Sequence, residues 1–347
     1  MRDRLLEACD FNWDAISPAI FGALFQSVMQ PKERREKGAH YTTERNILKV
    51  IEPLFLDDLR AEFKRLLECR DNNRRNALRA FHNKIANLRF FDPACGCGNF
   101  LIIAYRELRE LELALLGELN PGGQQVTEIE IQSRCNVDQF YGIEKEEFPA
   151  RIAEVAMWMT DHIANVSLTL AFGKVAFRIP LNASATIRHA DALETDWNDL
   201  LPADTCDYVF GNPPFIGVSH QTADQRNQVR KLVNVTGAGT GLDYVAAWFL
   251  KATTYANPSV DEANTKAISI GFVATNSITQ GEQVAPLWRI LFDRYGMEII
   301  FAHRTFAWVS DARGTAHVHV IIVGMMHRKN APKERRLYSY IDTKVDV

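Results

Sequence analysis

Residues 90–101, Phe-Phe-Asp-Pro-Ala-Cys-Gly-Cys-Gly-Asn-Phe-Leu, constrain the fold of this chain more than any other stretch. Two aromatic residues lead into an acid, a glycine turn follows, and a helical pattern begins. A short strand passing through a glycine loop into a helix opens a βαβ unit. The pattern then repeats. Phe140–Ile143 reads as a strand, and Ile152, Val155, Ala156, Met159 and Ile163 are spaced as a buried helix face. Strands are expected at Ile187–Asp191, at Tyr208-Val209-Phe210 and over Ala267–Ala274, with a helix over Leu242–Ala256. Met297–His303 and His317–Met325 read as a final pair of strands. Alternating βα units imply an α/β fold, a mostly parallel sheet with helices on both faces. Residues 1–86 read instead as a mostly helical segment, with Phe21, Leu24, Phe25 and Val28 forming one apolar stripe. A boundary is therefore expected near residue 86, with one larger domain over 87–347.

The glycine loop says what such a fold binds. Gly96 and Gly98 lack Cβ, so backbone can approach a ligand closely. Leu101 stands where a dinucleotide fingerprint has its third glycine. Asp92 just before the loop would repel a pyrophosphate and attract an ammonium or sulfonium. S-adenosylmethionine fits that charge pattern better than NAD.

A second motif, Asn212-Pro213-Pro214-Phe215, follows the strand run and Gly211. It falls at a strand's carboxyl end, where open α/β sheets bind ligands. The prolines stiffen the loop and would hold the Asn212 side-chain oxygen and the Pro213 carbonyl as adjacent acceptors. That pair suits a planar amine, and Phe215 suits stacking on the ring that bears it. Glu144 ends the second strand, where an acid commonly holds ribose hydroxyls. It lies 52 residues beyond Asp92, against roughly 20 in a minimal unit; an inserted loop from Asn120-Pro121-Gly122-Gly123 to Asp138 accounts for the excess. Asp191 is either an acceptor for an adenine amine or a surface turn acid. Thr42 and Thr43 precede a helix marked by Ile47, Val50, Ile51 and Leu54, and either can cap it.

In this order, Gly38-Ala39-His40-Tyr41-Thr42, Asp-Pro-Ala-x-Gly-x-Gly and Asn-Pro-Pro-Phe resemble the motif set of gamma-ordered N6-adenine DNA methyltransferases. Phe140–Asp161 and Asn276–Gln283 resemble the MmeI-like branch of fused restriction–modification enzymes, and the likeness runs from about Gly38 to Gly324. The resemblance implies a Rossmann-like class I methyltransferase fold with a mostly parallel seven-stranded sheet and an antiparallel last strand. It implies that Tyr41 and Thr42 help hold S-adenosylmethionine. Asp92, Ala94, Gly96, Gly98 and Asn99 would seat its methionine part, Glu144 its ribose and Asp191 its adenine. Asn212, itself near the cofactor, would with Pro213, Pro214 and Phe215 form the catalytic loop that grips the target base. Phe215 replaces the usual Tyr and keeps the ring. Leu242-Asp243-Tyr244 stands in place of an Asp-Leu-Tyr-type motif. Methyltransferases acting on protein glutamine amides share the Asn-Pro-Pro-aromatic motif, and a catalytically silent DNA-binding module is the other alternative.

The implied substrate is duplex DNA with one adenine turned out of the stack. Phe306, in Thr305-Phe306-Ala307-Trp308, is either a second stacking face for that base or a core aromatic. The chain's net charge of −3 is low for a stand-alone DNA binder, which usually needs a basic surface. No target-recognition domain and no Pro-Asp…Glu-x-Lys nuclease core is evident, so both are expected elsewhere. No run of about 18 apolar residues suggests a membrane span, and Met1-Arg2-Asp3-Arg4 opens no secretory signal. The six cysteines are scattered without metal-ligand spacing. A reduced, cytoplasmic protein without a metal is the expectation.

Overall fold

The computed structural model describes residues 42–69, 73–120, 133–172, 184–233, 241–257, 266–308 and 318–340. Phe90 and Phe91 enter opposite cores, as consecutive strand residues must. Their strand, β1 (Phe90–Asp92), pairs in parallel with β2 (Phe140–Glu144) on one side and β4 (Tyr208–Gly211) on the other. Beyond them lie β3 (Thr186–His189) and β5 (Ser269–Thr275), also parallel. β7 (Val318–His327) is inserted antiparallel between β5 and β6 (Met297–Trp308). The order is β3-β2-β1-β4-β5-β7-β6-β8.

The sheet thus has eight strands where seven were expected. The extra strand, β8 (Arg336–Tyr338), runs parallel to the outer edge of β6. Three residues with an exposed leucine carry no readable alternation. Ring packing holds the strand instead: Tyr338 stacks on His303 with centroids 4.3 Å apart.

Helices cover both faces. One face carries α1 (Glu44–Ile51), continued through a π turn at Glu52–Leu56 into α2 (Asp57–Glu68), then α3 (Arg74–Asn87), α4 (Asn99–Leu119) and α5 (Glu147–Phe172). The opposite face carries α6 (Ala223–Val233), α7 (Ala246–Ala256) and α8 (Val284–Arg289). Helices of the amino-terminal part therefore share a core with the sheet.

The buried face of α5 is not the one its large apolar residues suggested. Ala153, Ala156, Met157, Thr160, Asp161, Asn165 and Leu168 point inward, while Val155 is 50% exposed and Ile152, Met159 and Ile163 are only partly covered. Two contacts explain the rotation. Gly98 approaches so closely that a Cβ there would lie 3.0 Å from that of Ala153, which demands a small partner. Asp161 and Asn165 turn inward to meet Arg109 of α4, with bonds of 2.9 Å from its guanidinium to each. Arg109 also pairs with Glu112 at 3.2 Å, and Glu112 meets His82 of α3 at 2.7 Å. This buried network fixes α4 and α5 to each other just beyond the glycine loop.

Candidate active site

Strand order reverses between β1 and β4, so their carboxyl ends open a crevice at a topological switch point. Asp92 ends β1 and Asn212 follows β4. Gly211 makes the junction possible, because a Cβ there would lie 2.4 Å from Asp92 Oδ1.

Asp92 is almost fully buried. Its Oδ1 accepts the Ala94 N–H at 2.9 Å, while Oδ2 is buried with no hydrogen-bond partner among the described residues. Burial pushes its carboxyl up to about 8; the Ala94 N–H opposes the rise and nearby Glu144 adds to it. The loop then turns through Gly96 (φ +55°) and Gly98 (φ +85°), left-handed positions that favour glycine. Gly98 leads into α4, whose first residue, Asn99, has a buried Oδ1 that also lacks a partner among the described residues. A Cβ on Gly96 would meet nothing within 4 Å, so the loop backbone is open there.

Glu144 ends β2 and organises this loop. Its two carboxylate oxygens accept from Gly96 N–H at 2.9 Å and Glu146 N–H at 2.8 Å. Burial raises its pKa, and these backbone donors oppose the rise. Asp191 follows β3. Oδ1 accepts Leu193 N–H at 2.9 Å, and Oδ2 accepts Lys145 at 2.9 Å and Gln228 at 3.1 Å. Burial would raise its pKa, but these bonds outweigh it and the net shift is downward.

At the target loop, Asn212 Nδ2 donates to Thr42 Oγ1 at 3.0 Å, and Asn212 Oδ1 is buried. The Thr42 hydroxyl thus orients the motif amide. Thr43 takes the N-cap position of α1, with no side-chain cap bond. Pro213 is buried, and Phe215 is half-buried against both cores. Tyr41 and His317 lie outside the described residues. Phe306 sits in the core, 6% exposed, with Lys49 4.5 Å from its centroid and Tyr340 at 5.2 Å. The core alternative describes these surroundings, since β6 carries Phe306 inward with Trp308.

Three further residues shape the site. Trp248 of α7 donates its indole N–H to the Pro93 carbonyl at 3.1 Å and pins the loop after β1. Asp243 accepts Val218 N–H at 3.0 Å and braces the segment after Phe215. Lys251, with its pKa lowered by burial to about 8, donates to the carbonyls of Leu193 and Thr195 beside Asp191. A lone polar or aromatic residue on a buried helix was the only signal for Trp248 and Lys251.

Residues 67–339 match the family model described as MmeI, DNA-methyltransferase domain. The chain belongs to this family. DNA methyltransferase A of Bacillus subtilis (strain 168), a relative of this family domain, is 38% identical over 316 residues, covering 90% of this chain and 34% of that protein. The solved structure of the type IIL restriction-modification enzyme MmeI in complex with DNA matches at a TM-score of 0.90 and 49% identity. The match covers 99% of this chain and 44% of that one. A DrdV–DNA complex, at a TM-score of 0.52 and 13% identity over 94% of this chain and 30% of that one, shares the fold alone. The MmeI-family domain here thus spans about a third of the curated relative and less than half of the MmeI chain. Among the described residues, no helix is long and apolar enough to cross a membrane.

Proposed function

We propose that this chain is the methyl-transfer core of a restriction–modification DNA methyltransferase that acts on the N6 amine of adenine, with S-adenosylmethionine as methyl donor. One arrangement carries the reading: buried acceptors at Asp92 and Asn99 flank an open glycine loop, next to the Asn212 amide held by Thr42.

The residues fit the cofactor. An ammonium is a donor without an acceptor, and Asp92 Oδ2 supplies a buried acceptor that no donor among the described residues reaches. Glu144 accepts backbone N–H groups of the glycine loop and of the turn after β2, and its carboxylate is the acceptor for ribose hydroxyls. Asp191 is the acceptor for the adenine end, and we assign Thr42, with Tyr41 before it in the sequence, to the cofactor as well. When bound, S-adenosylmethionine supplies an electrophilic methyl group on a sulfonium.

The chain's own work is on the base. With its Nδ2 committed to Thr42, Asn212 turns Oδ1 to the target as an acceptor. Asn212 Oδ1 and the Pro213 carbonyl accept the two N6 hydrogens. That draws nitrogen toward tetrahedral geometry, frees its lone pair for attack and stabilises the positive charge that develops. Pro214 stiffens the loop, and Phe215 stacks on the base, offsetting part of the few kcal/mol needed to turn it out of the duplex. We assign residues 1–86 to an amino-terminal segment that carries the His-Tyr-Thr motif and 87–347 to the catalytic domain. We place sequence recognition and any nuclease outside this chain.

The test is a melting curve with S-adenosylmethionine or NAD, followed by gel shifts on matched and scrambled duplexes. S-adenosylmethionine alone should raise Tm, and DNA should bind weakly, around 10⁻⁴–10⁻⁶ M without sequence preference. A shift with NAD alone overturns the cofactor; nanomolar, sequence-selective binding overturns the placing of recognition elsewhere.

A further inference from the structure

Two neighbouring residues, Asp243 and Tyr244, reach the two halves of the site. Asp243 accepts the Val218 N–H, three residues past Phe215, and also accepts from Ser277. Tyr244 points the other way and donates its hydroxyl to Gln228 Oε1 at 2.5 Å. Gln228 lies on α6, and its Nε2 donates to Asp191 Oδ2 at 3.1 Å. A carboxamide has one accepting and one donating end. Because Tyr244 donates to the oxygen, the NH2 is the end that faces Asp191.

The consequence is a carboxylate whose partners among the described residues are each assigned to one oxygen. Each carboxylate oxygen offers two lone pairs. Lys145 and Gln228 fill both on Oδ2, and Leu193 N–H takes one on Oδ1. The remaining Oδ1 lone pair is the one that can receive a ligand N–H. Without Gln228, Lys145 is the carboxylate's one remaining side-chain partner among the described residues, and that side chain is 64% exposed. An exposed ion pair restrains geometry weakly.

We propose that Gln228 and Tyr244 are positioning residues that aim Asp191 at the 6-amino group of the cofactor's adenine, and that Asp243 ties this pocket to the target loop. The proposal rests on the S-adenosylmethionine reading above. A purely structural pair would only staple α6 to the turn at Asp243. The two roles differ in what they sense: a staple affects every ligand equally, whereas an aimed acceptor matters only when the ligand carries the matching donor.

The experiment compares two ligands on the full chain by calorimetry: S-adenosylhomocysteine, and its analogue with hydrogen in place of the 6-amino group. The variants are Gln228→Leu, which removes both bonds and the bond from Gln228 to Glu194, and Tyr244→Phe, which removes only the hydroxyl. The Tyr244 ring packs edge-on to Trp248 at 5.2 Å, so Tyr244→Phe preserves packing if Gln228→Leu does not fold. Both variants should weaken S-adenosylhomocysteine roughly three- to tenfold, as loss of one oriented hydrogen bond does, and the analogue by less than about twofold. Equal losses for both ligands would overturn the proposal and leave the cofactor reading intact. A wild-type chain that binds neither ligand would overturn that reading, and the proposal with it.

Discussion

Asp92→Asn exchanges a buried carboxylate for an amide of the same shape and separates charge from packing at the cofactor pocket. In the free protein burial holds this carboxyl at about 8, with Glu144 adding to the rise and the Ala94 N–H opposing it. One unit between pH and pKa means a roughly tenfold excess of the protonated form at pH 7. An ammonium held at Oδ2 requires the ionised form, so binding must expel most of a proton. Each unit corresponds to about 1.4 kcal/mol. Affinity should therefore rise close to tenfold between pH 6 and 7. It should level off near 8, where an α-amino group of ordinary pKa, about 7.7–8.0, begins to lose its own charge. Calorimetry with S-adenosylhomocysteine in buffers of different ionisation enthalpy counts the released protons: most of one for wild type at pH 7, none for Asp92→Asn. Stability gives a second readout. The folded pKa lies above the ordinary 3.8, so this group's contribution is fully present below about pH 4 and is lost as pH rises through about 8. Ligand-free Asp92→Asn should then melt higher than wild type at pH 8. Tight binding by wild type with no proton release would refute the pairing of Asp92 with an ammonium.

Other substitutions probe separate parts of the account. Asn212→Ala should abolish methyl transfer while leaving cofactor affinity within a few-fold, measured by turnover and calorimetry on the same preparation. Gly98→Ala places a Cβ at φ +85° and 3.0 Å from that of Ala153; a loss of roughly 1–3 kcal/mol is expected in denaturant unfolding. Arg109→Met leaves Asp161 buried without its cation and takes one partner from Glu112, and should destabilise by roughly 3–5 kcal/mol in the same assay.

Local chemistry was legible in the sequence. The strand before Asp92, the glycine turn and the start of α4 follow from residues that touch their near neighbours, and the loop at Asn212 follows from its prolines. Longer-range terms were not. Apolar spacing in α5 reads side-chain size, whereas the fold selects small residues where Gly98 packs and polar ones where Arg109 sits. Trp248 meets Pro93 across 155 residues, and Gln228 meets Asp191 across 37. Neither contact has a local pattern. Phe306 was ambiguous because an aromatic on a strand suits a core or a binding wall equally, and only the packing of Lys49 and Tyr340 around it decides its surroundings.

The most direct measurement follows the methyl group itself. The chain is incubated with S-adenosylmethionine labelled in its methyl group and micromolar unmethylated duplex DNA at low salt, where phosphate contacts are least screened. The DNA is then digested to nucleosides and resolved by mass spectrometry. The account predicts label in N6-methyldeoxyadenosine, abolished by Asn212→Ala. Label in methylated cytosine or in protein glutamine, or N6-methyladenine formation unaffected by Asn212→Ala, would contradict it.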